Sequence, residues 1–300
     1  MRHPFTAALL LLTLSAASQP RMVTKAVIRF KTEVTFPENF GNNFGGGEGG
    51  GGGQMTMMSG GMEASSTMYV SGDMSKVESV SDFGNNIVIT DHKARRTTTL
   101  VEAMGRKTGF YSTPEDEKIM RARMDSMRNA RRDDPAREAR RDSLQRAGFS
   151  FGQPSKPEIE YTTDTRKIAG LECRKAIIRT KNQRGDVTEN IVWFSPDFRM
   201  PDGMGFASGQ GGGGGARGGG MSAMMGVPGL DQLQGFPMEF QMERGNGFKS
   251  HTIVTKVQLD ANIDDKAFEI PKGFDVKPMS EMQQGGRGGM MMMRMGSGGN

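Results

Sequence analysis

From Met22 to Phe36 the even positions read Met, Thr, Ala, Ile, Phe, Thr, Val, Phe, while the odd positions from Lys25 onward are mostly polar or charged. A repeat of two over that length places one side of an extended strand in a core. The rhythm returns at 236–243, with Phe236, Met238, Phe240 and Met242 on one side and Glu239, Gln241 and Glu243 on the other. At 249–259 it puts Ile253, Val257 and Leu259 on one face. Shorter strand-like runs follow at 66–71, 74–80, 86–91, 95–102, 106–112 and 158–164, and a hairpin joins 172–181 to 187–194 across Asn182-Gln183-Arg184-Gly185-Asp186. Strand follows strand through short polar turns, which predicts antiparallel pairing. With one face apolar and one wet, such a sheet must curl upon itself or be covered. The predicted fold class is all-β: a single strongly curved antiparallel sheet, or half-barrel, with a charged helical insertion and Gly/Met-rich disordered loops.

The interruptions define the rest of the organisation. Gly-rich segments occupy 41–62, 203–226 and a tail at 279–300; glycine loses most backbone freedom on ordering, and few branched or aromatic residues offset that cost there. The stretch 113–148 reads as a helical insert. Thr113, Pro114 and the acids Glu115, Asp116 and Glu117 supply a cap, a first-turn proline and a dipole-favourable start, and Asp134-Pro135 marks a second start. Met120, Met124 and Met127 form only a narrow apolar stripe. Ten basic and eight acidic residues between 115 and 147 make this a solvated excursion between strands. What remains is the size of one domain, spanning 21–278.

Composition sets the compartment. Arg2 and His3 precede an apolar run from Ala7 to Leu14 followed by Ser15-Ala16-Ala17, the pattern of a cleaved signal peptide over 1–20. The run is shorter than the ~20 residues that span a bilayer. No cysteine follows it for a lipid anchor, so a soluble periplasmic or secreted protein is expected. Cys173 is the sole cysteine and cannot pair within the chain; within a strand it reads as a small buried apolar group. A formal charge of +5, with 34 acids interleaved among 39 bases, favours solubility over nucleic-acid binding.

Five short motifs follow in order: Ile168-Ala169-Gly170; Cys173, Lys175 and Ala176; Trp193-Phe194-Ser195-Pro196; Val227-Pro228-Gly229-Leu230; and Phe268-Glu269-Ile270-Pro271. Their order and spacing over 158–274 resemble the GLPGLI family, exported proteins of unknown function named after a Gly-Leu-Pro-Gly-Leu-Ile signature. Here that signature is altered to Val227-Pro228-Gly229-Leu230-Asp231. The resemblance implies a curved antiparallel sheet like that of the periplasmic lipoprotein carriers (LolA-like), whose concave face could hold a lipid or acyl chain. The residues themselves also have plain structural readings. Gly170 is a turn glycine, Trp193 an inward anchor, Pro196 a strand terminator, and Phe268 and Ile270 pins of a C-terminal strand ended by Pro271.

Catalytic chemistry finds little support in the sequence. His92 falls at a turn, and His251, on the face of Ile253 and Val257, reads as a hydrogen-bonded core histidine rather than a ligand or base. No Gly-x-Ser-x-Gly elbow, His-Glu-x-x-His pair or phosphate loop is present, so no enzyme activity and no cofactor are expected. Methionine is the compositional outlier at 26 residues. Met55, Met57 and Met58, then Met221, Met224 and Met225, then Met290, Met291, Met292 and Met293 cluster in the Gly-rich segments. Thioethers suit Cu(I) or Ag(I), and equally serve as sacrificial oxidation sites. Three functions are therefore expected in descending order: a non-enzymatic exported protein holding a lipid, acyl chain or hydrophobic partner; a soft-metal binder; and a cell-envelope interaction scaffold.

Overall fold

The computed structural model describes residues 19–36, 61–130, 156–181, 187–201, 204, 227–243 and 247–282. Its elements are Arg21–Met22 (β1), Lys25–Thr35 (β2), Gly61–Ser71 (β3), Met74–Ser81 (β4), Gly84–Asp91 (β5), Arg96–Ala103 (β6), Arg106–Ser112 (β7) and Pro114–Ala130 (α1). Then come Glu158–Ile168 (β8), Leu171–Lys181 (β9), Val187–Ser195 (β10), Phe198–Arg199 (β11), Phe236–Glu243 (β12), Lys249–Leu259 (β13), Asp275–Pro278 (β14) and Met279–Met282 (α2). Twelve strands form one sheet in the order β14-β7-β6-β5-β4-β3-β2-β13-β12-β10-β9-β8, and β1 and β11 make a separate parallel pair. The predicted all-β curved sheet is the observed architecture. Pairing is antiparallel throughout the large sheet except where β14 joins β7 in parallel.

The sheet bends strongly. One hydrophobic cluster gathers Met68 and Val70 of β3, with Val77 of β4 packed against it, together with Ile168 of β8 and Cys173 of β9. Five strands separate β4 from β9 in the sheet order, about 29 Å if the sheet were flat. The cluster spans that distance through Ala26 and Ile28 of β2, Val254 of β13 and Met238 of β12, and register shifts at Trp193/Phe194, Val254/Lys256 and Tyr161/Thr165 mark bulges that help the strands turn. The β3 strand is packed on both faces: Met68 and Val70 enter this cluster, while Tyr69 between them joins Ile89, Leu100 and Phe268 on the other side. The chain after β13 thus covers the convex face of β3 to β6. Lys76 is fixed beneath it, donating to the Ala267 carbonyl at 2.7 Å and pairing with Glu78 at 2.7 Å.

Several expectations are corrected. In the first strand the inward row holds from Ala26 to Phe36, but Met22 is exposed and Val23 is buried, because β1 and β2 are separate elements. In β13 the deeply buried residues are Ser250, Thr252 and Val254, not His251 and Ile253; the bulge after Val254 then returns Val257 and Leu259 towards the core. Phe268 ends a 3-10 turn rather than a strand, Ile270 is exposed, and the final strand comes only after Pro271. The Gly-rich boundaries also shift. Gly61 and Met62 already belong to β3, Met204 is buried, and the segment from 279 begins with α2.

The helical insert begins as expected. Thr113 Oγ1 accepts from the Asp116 amide at 3.3 Å, while the Asp116 carboxylate accepts from the Thr113 amide at 3.1 Å, a reciprocal capping box. Ser280 of α2 donates to the same carboxylate at 2.7 Å, tying the two helices together. The signal region through residue 18, the second half of the insert and the side chains of Met120, Met124 and Met127 lie outside the described residues.

Candidate functional site

Two places combine unusual side chains with defined geometry: the filled concave interior and a groove on the opposite face of β9, β10 and β12. In the interior, successive strands contribute every second residue: Ala176 and Ile178 from β9, Val192 from β10, Phe240 and Met242 from β12, Val34 from β2. Two short straps of chain complete the core, one in the cluster of Ala26, Ile28, Met68 and Met238 and one against the residues of β9, β10, β12 and β2 just named. The first follows β10 and carries Phe198, Met200 and Met204; the second carries Val227, Leu230 and Leu233. Phe198 stacks on Phe236 with centroids 4.9 Å apart.

The first strap is held by the short parallel pairing of β11 with β1, in which the Arg21 amide donates to the Asp197 carbonyl at 3.1 Å and the Val23 amide to the Arg199 carbonyl at 2.9 Å; within the strap, Met204 N donates to the Pro201 carbonyl at 3.0 Å. In the second, Gly229 (φ 90) caps the 3-10 turn Leu230–Gln232 and approaches Pro157 so closely that a Cβ would lie 2.8 Å from its ring. Beyond the turn, the Gln234 amide donates to the Tyr161 hydroxyl at 3.2 Å. The altered signature loop is therefore filling for the core. Between Ile178 and the β12 strand sits Asn190, 2% exposed, whose Oδ1 accepts no hydrogen bond among the described residues.

The groove is built from the other set of alternate residues. Ladder partners Lys175, Trp193 and Glu239 run across β9, β10 and β12. With Ile191, Gln241 and Arg166 they line a space of about 180 Å³. Trp193, expected as an inward anchor, packs against the hydrophobic cluster that holds Cys173 and Ile168, while its neighbour Val192 enters the second cluster. The Arg166 guanidinium lies 4.1 Å from the Trp193 ring centroid, a cation–π contact. Arg166 also donates to Glu239 Oε2. His251 Nε2 stands 3.1 Å from Glu239 Oε1. An ionised carboxylate only accepts, so His251 carries its hydrogen on Nε2 in this contact.

Electrostatics fix what the groove can do. Burial opposes ionisation of Glu239, but hydrogen bonds from Arg166 and His251 and their charges outweigh it, holding the carboxyl below the ordinary range. Both carboxylate oxygens are engaged, and Lys175 pairs with Asp164 at 3.1 Å. This is a tie that fastens the edge strand β8 to the sheet, with no uncommitted acid or base in it. Cys173 is buried, and that burial pushes its thiol up to about 11. His92 is lowered by burial and contacts Ser75 Oγ at 2.8 Å.

Glu239 escaped the sequence reading because alternation marks it as an outward residue, which it is; its 6% exposure arises from Arg166 and His251, contributed by other strands. The methionines considered as soft-metal ligands, Met55, Met57, Met58, Met221, Met224, Met225, Met290, Met291, Met292 and Met293, all lie outside the described residues.

No family model matches the chain, and no curated protein matches it. Among solved structures it is similar to PNGF-II at 13% identity and a TM-score of 0.35, over 87% of this chain and 33% of that one, so it spans about a third of that protein's length. A β-barrel-like protein of a domain of unknown function, DUF1849, from Brucella abortus is similar at 7% identity and a TM-score of 0.32, over 81% of this chain and 100% of that one. A putative outer membrane lipoprotein-sorting protein domain from Vibrio parahaemolyticus is similar at 7% identity and a TM-score of 0.21, over 82% and 89%. Likenesses of this depth decide neither ligand nor activity.

Proposed function

We propose that this chain is an exported, non-catalytic protein of the cell envelope whose curved sheet takes up an apolar chain, such as a lipid or a lipoprotein acyl group. The observation that carries the reading is the kind of cover on the concave face. Two short straps of chain, rather than further strands, fill it, and one of them carries the flexible thioethers Met200 and Met204.

Magnitudes favour partial exchange. An acyl chain of about sixteen carbons gains roughly 12 kcal/mol on burial at about 0.8 kcal/mol per methylene. Releasing one buried apolar side chain costs about 1.5–3 kcal/mol, so displacing all six strap residues would consume the gain. Displacing Met200 and Met204 alone would not. Asn190 adds an acceptor on the same face for a hydroxyl or amide of the incoming molecule. The non-catalytic part of the reading draws on the thiol of Cys173, which burial keeps protonated and out of nucleophilic use. Periplasmic or secreted residence rests on the N-terminal pattern, and the GLPGLI resemblance points the same way.

Native mass spectrometry of protein recovered from its own envelope, followed by lipid extraction, tests the reading directly. A bound acyl species is expected. Met204→Ala and Leu233→Ala should bind a fluorescent fatty acid more tightly than the parent, because less filling competes. Ligand-free protein together with variants that are merely destabilised would overturn the proposal.

A further inference from the structure

We propose that the β4–β5 and β6–β7 hairpin tips form one apolar wedge that inserts into the interfacial zone of a lipid bilayer. The inference stands apart from the acyl-binding reading and needs no ligand in the concave face.

Among the described residues, four of the ten exposed large apolar side chains fall on these two hairpins, Val80, Phe83, Val101 and Met104; of the other six, Val187 and Ile191 share β10 and the rest lie on separate elements. The tips touch. Gly84 (φ 130) lies so close to the neighbouring turn that a Cβ on it would stand 2.2 Å from the Glu102 carbonyl oxygen and 3.2 Å from Ala103 Cα. Phe83 and Met104, 45% and 82% exposed, form the point. Behind it, Val80 pairs with Asn85 and Val101 with Asn86. Adjacent residues of β5 face opposite sides, so the two valines flank the point on the two faces of the sheet.

That distribution selects the occupant. A protein partner meets one face of a projection, whereas a bilayer surrounds it, and only the latter rewards apolar side chains on both faces and at the end. The valines sit two to three residues behind the point, about 7–10 Å at the rise of a strand, which matches the 5–10 Å depth of interfacial insertion. Arg106 and Lys107 follow immediately and are placed to lie at headgroup level with their stems along the apolar surface. Lys107 lies 3.6 Å from Glu102 and 5.6 Å from the Phe274 ring centroid, and exposed Asp82 shares the β4–β5 turn with Phe83, so its carboxylate has to turn back to headgroup level when Phe83 inserts.

Local strain supplies an independent pointer. Met104 has φ 52 and Gly105 φ 73, the two-residue hairpin turn that favours Asn-Gly. A long apolar side chain there breaks the turn preference while remaining in water, a local conflict of the kind that accumulates at functional sites.

The conflict yields a test with opposite signs. Met104→Asn, alone and with Phe83→Ser, is compared with the parent, all recovered from the host envelope, by flotation with vesicles of phosphatidylethanolamine and phosphatidylglycerol and with vesicles of phosphatidylcholine alone. The parent is expected to float with both, more with the anionic mixture. Met104→Asn should melt at a higher temperature yet bind at least about tenfold more weakly. Met104→Cys carrying an environment-sensitive dye should blue-shift on adding vesicles, buried Cys173 remaining unlabelled. Parent protein that fails to float, or variants that float equally well, overturns the proposal. So does tip-dependent self-association without vesicle binding, which would assign the wedge to a second copy. Fatty-acid uptake in vesicle-free solution should be unchanged in the tip variants, so loss of either property is read separately.

Discussion

Arg166 on the edge strand β8 reaches over β9 and β10 to donate to Glu239 on β12, passing 4.1 Å from the ring centroid of Trp193 on the way. One side chain thereby couples an outermost strand to the middle of the sheet. Edge strands are the least secured part of a sheet, and here the security comes from charge and aromatic contact on the convex face.

Removing that carboxylate should loosen the edge. Glu239→Gln keeps the shape but leaves Arg166 and His251 facing an amide, at a cost of about 1–3 kcal/mol in a buried setting. Urea denaturation measures it, and the emission of Trp193, the only tryptophan, should move to longer wavelength as Arg166 lifts away. An unchanged midpoint and spectrum would remove the tie from this account.

Acid sensitivity follows from two carboxylates. Burial opposes ionisation of Glu239 and Asp116, yet hydrogen bonds from Arg166 and His251 on the one, and from Ser280 and Thr113 on the other, leave both native values depressed. Unfolded carboxylates at about 4.3 take up protons first, so this stabilisation is complete above that range and disappears as pH falls through the lower native values. A stability profile by denaturant midpoint should therefore fall below about pH 4.5. Glu239→Gln should flatten part of the fall, and an equally steep profile in the variant would refute the assignment.

Asn190 offers a change of opposite sign. Its Oδ1 has no partner among the described residues on a face otherwise lined by Ile178, Val192 and Met242, and an unmatched buried polar atom costs about 1–3 kcal/mol. Asn190→Leu is expected to raise the melting temperature while weakening binding of any apolar molecule that carries a donor. Destabilisation would show that the amide is matched after all.

Gly235 limits the approach of the second strap to β10. A Cβ there would lie 2.1 Å from the Ser195 carbonyl oxygen and 2.8 Å from the Phe194 ring. Backbone cannot yield as a flexible side chain does, so Gly235→Ala should cost at least about 1–3 kcal/mol. Calorimetry of the variant, with a melting temperature equal to the parent's, would contradict that close packing.

Most strands were legible because period-two alternation is a local property: Phe236, Met238, Phe240 and Met242 are buried as their spacing foretold. The capping box at Thr113 and Asp116 was equally local. Errors gathered at bulges. The register shift beside Trp193 and the one after Val254 each alter which face a side chain takes, and neither leaves a mark in the order of residues.

By itself, then, the sequence determined the extended backbone, its turns and the first turns of the helical insert, because those depend on neighbours two to four positions away. Tertiary structure decided the rest. Only the pairing of β2, β13 and β12 in between joins β8 and β9 into one cluster with β3, only strand order places Arg166 and His251 on Glu239, and only hairpin pairing sets Phe83 beside Met104. Each of those meetings joins residues far apart in the chain, and their chemistry is that of the pair rather than of either side chain alone.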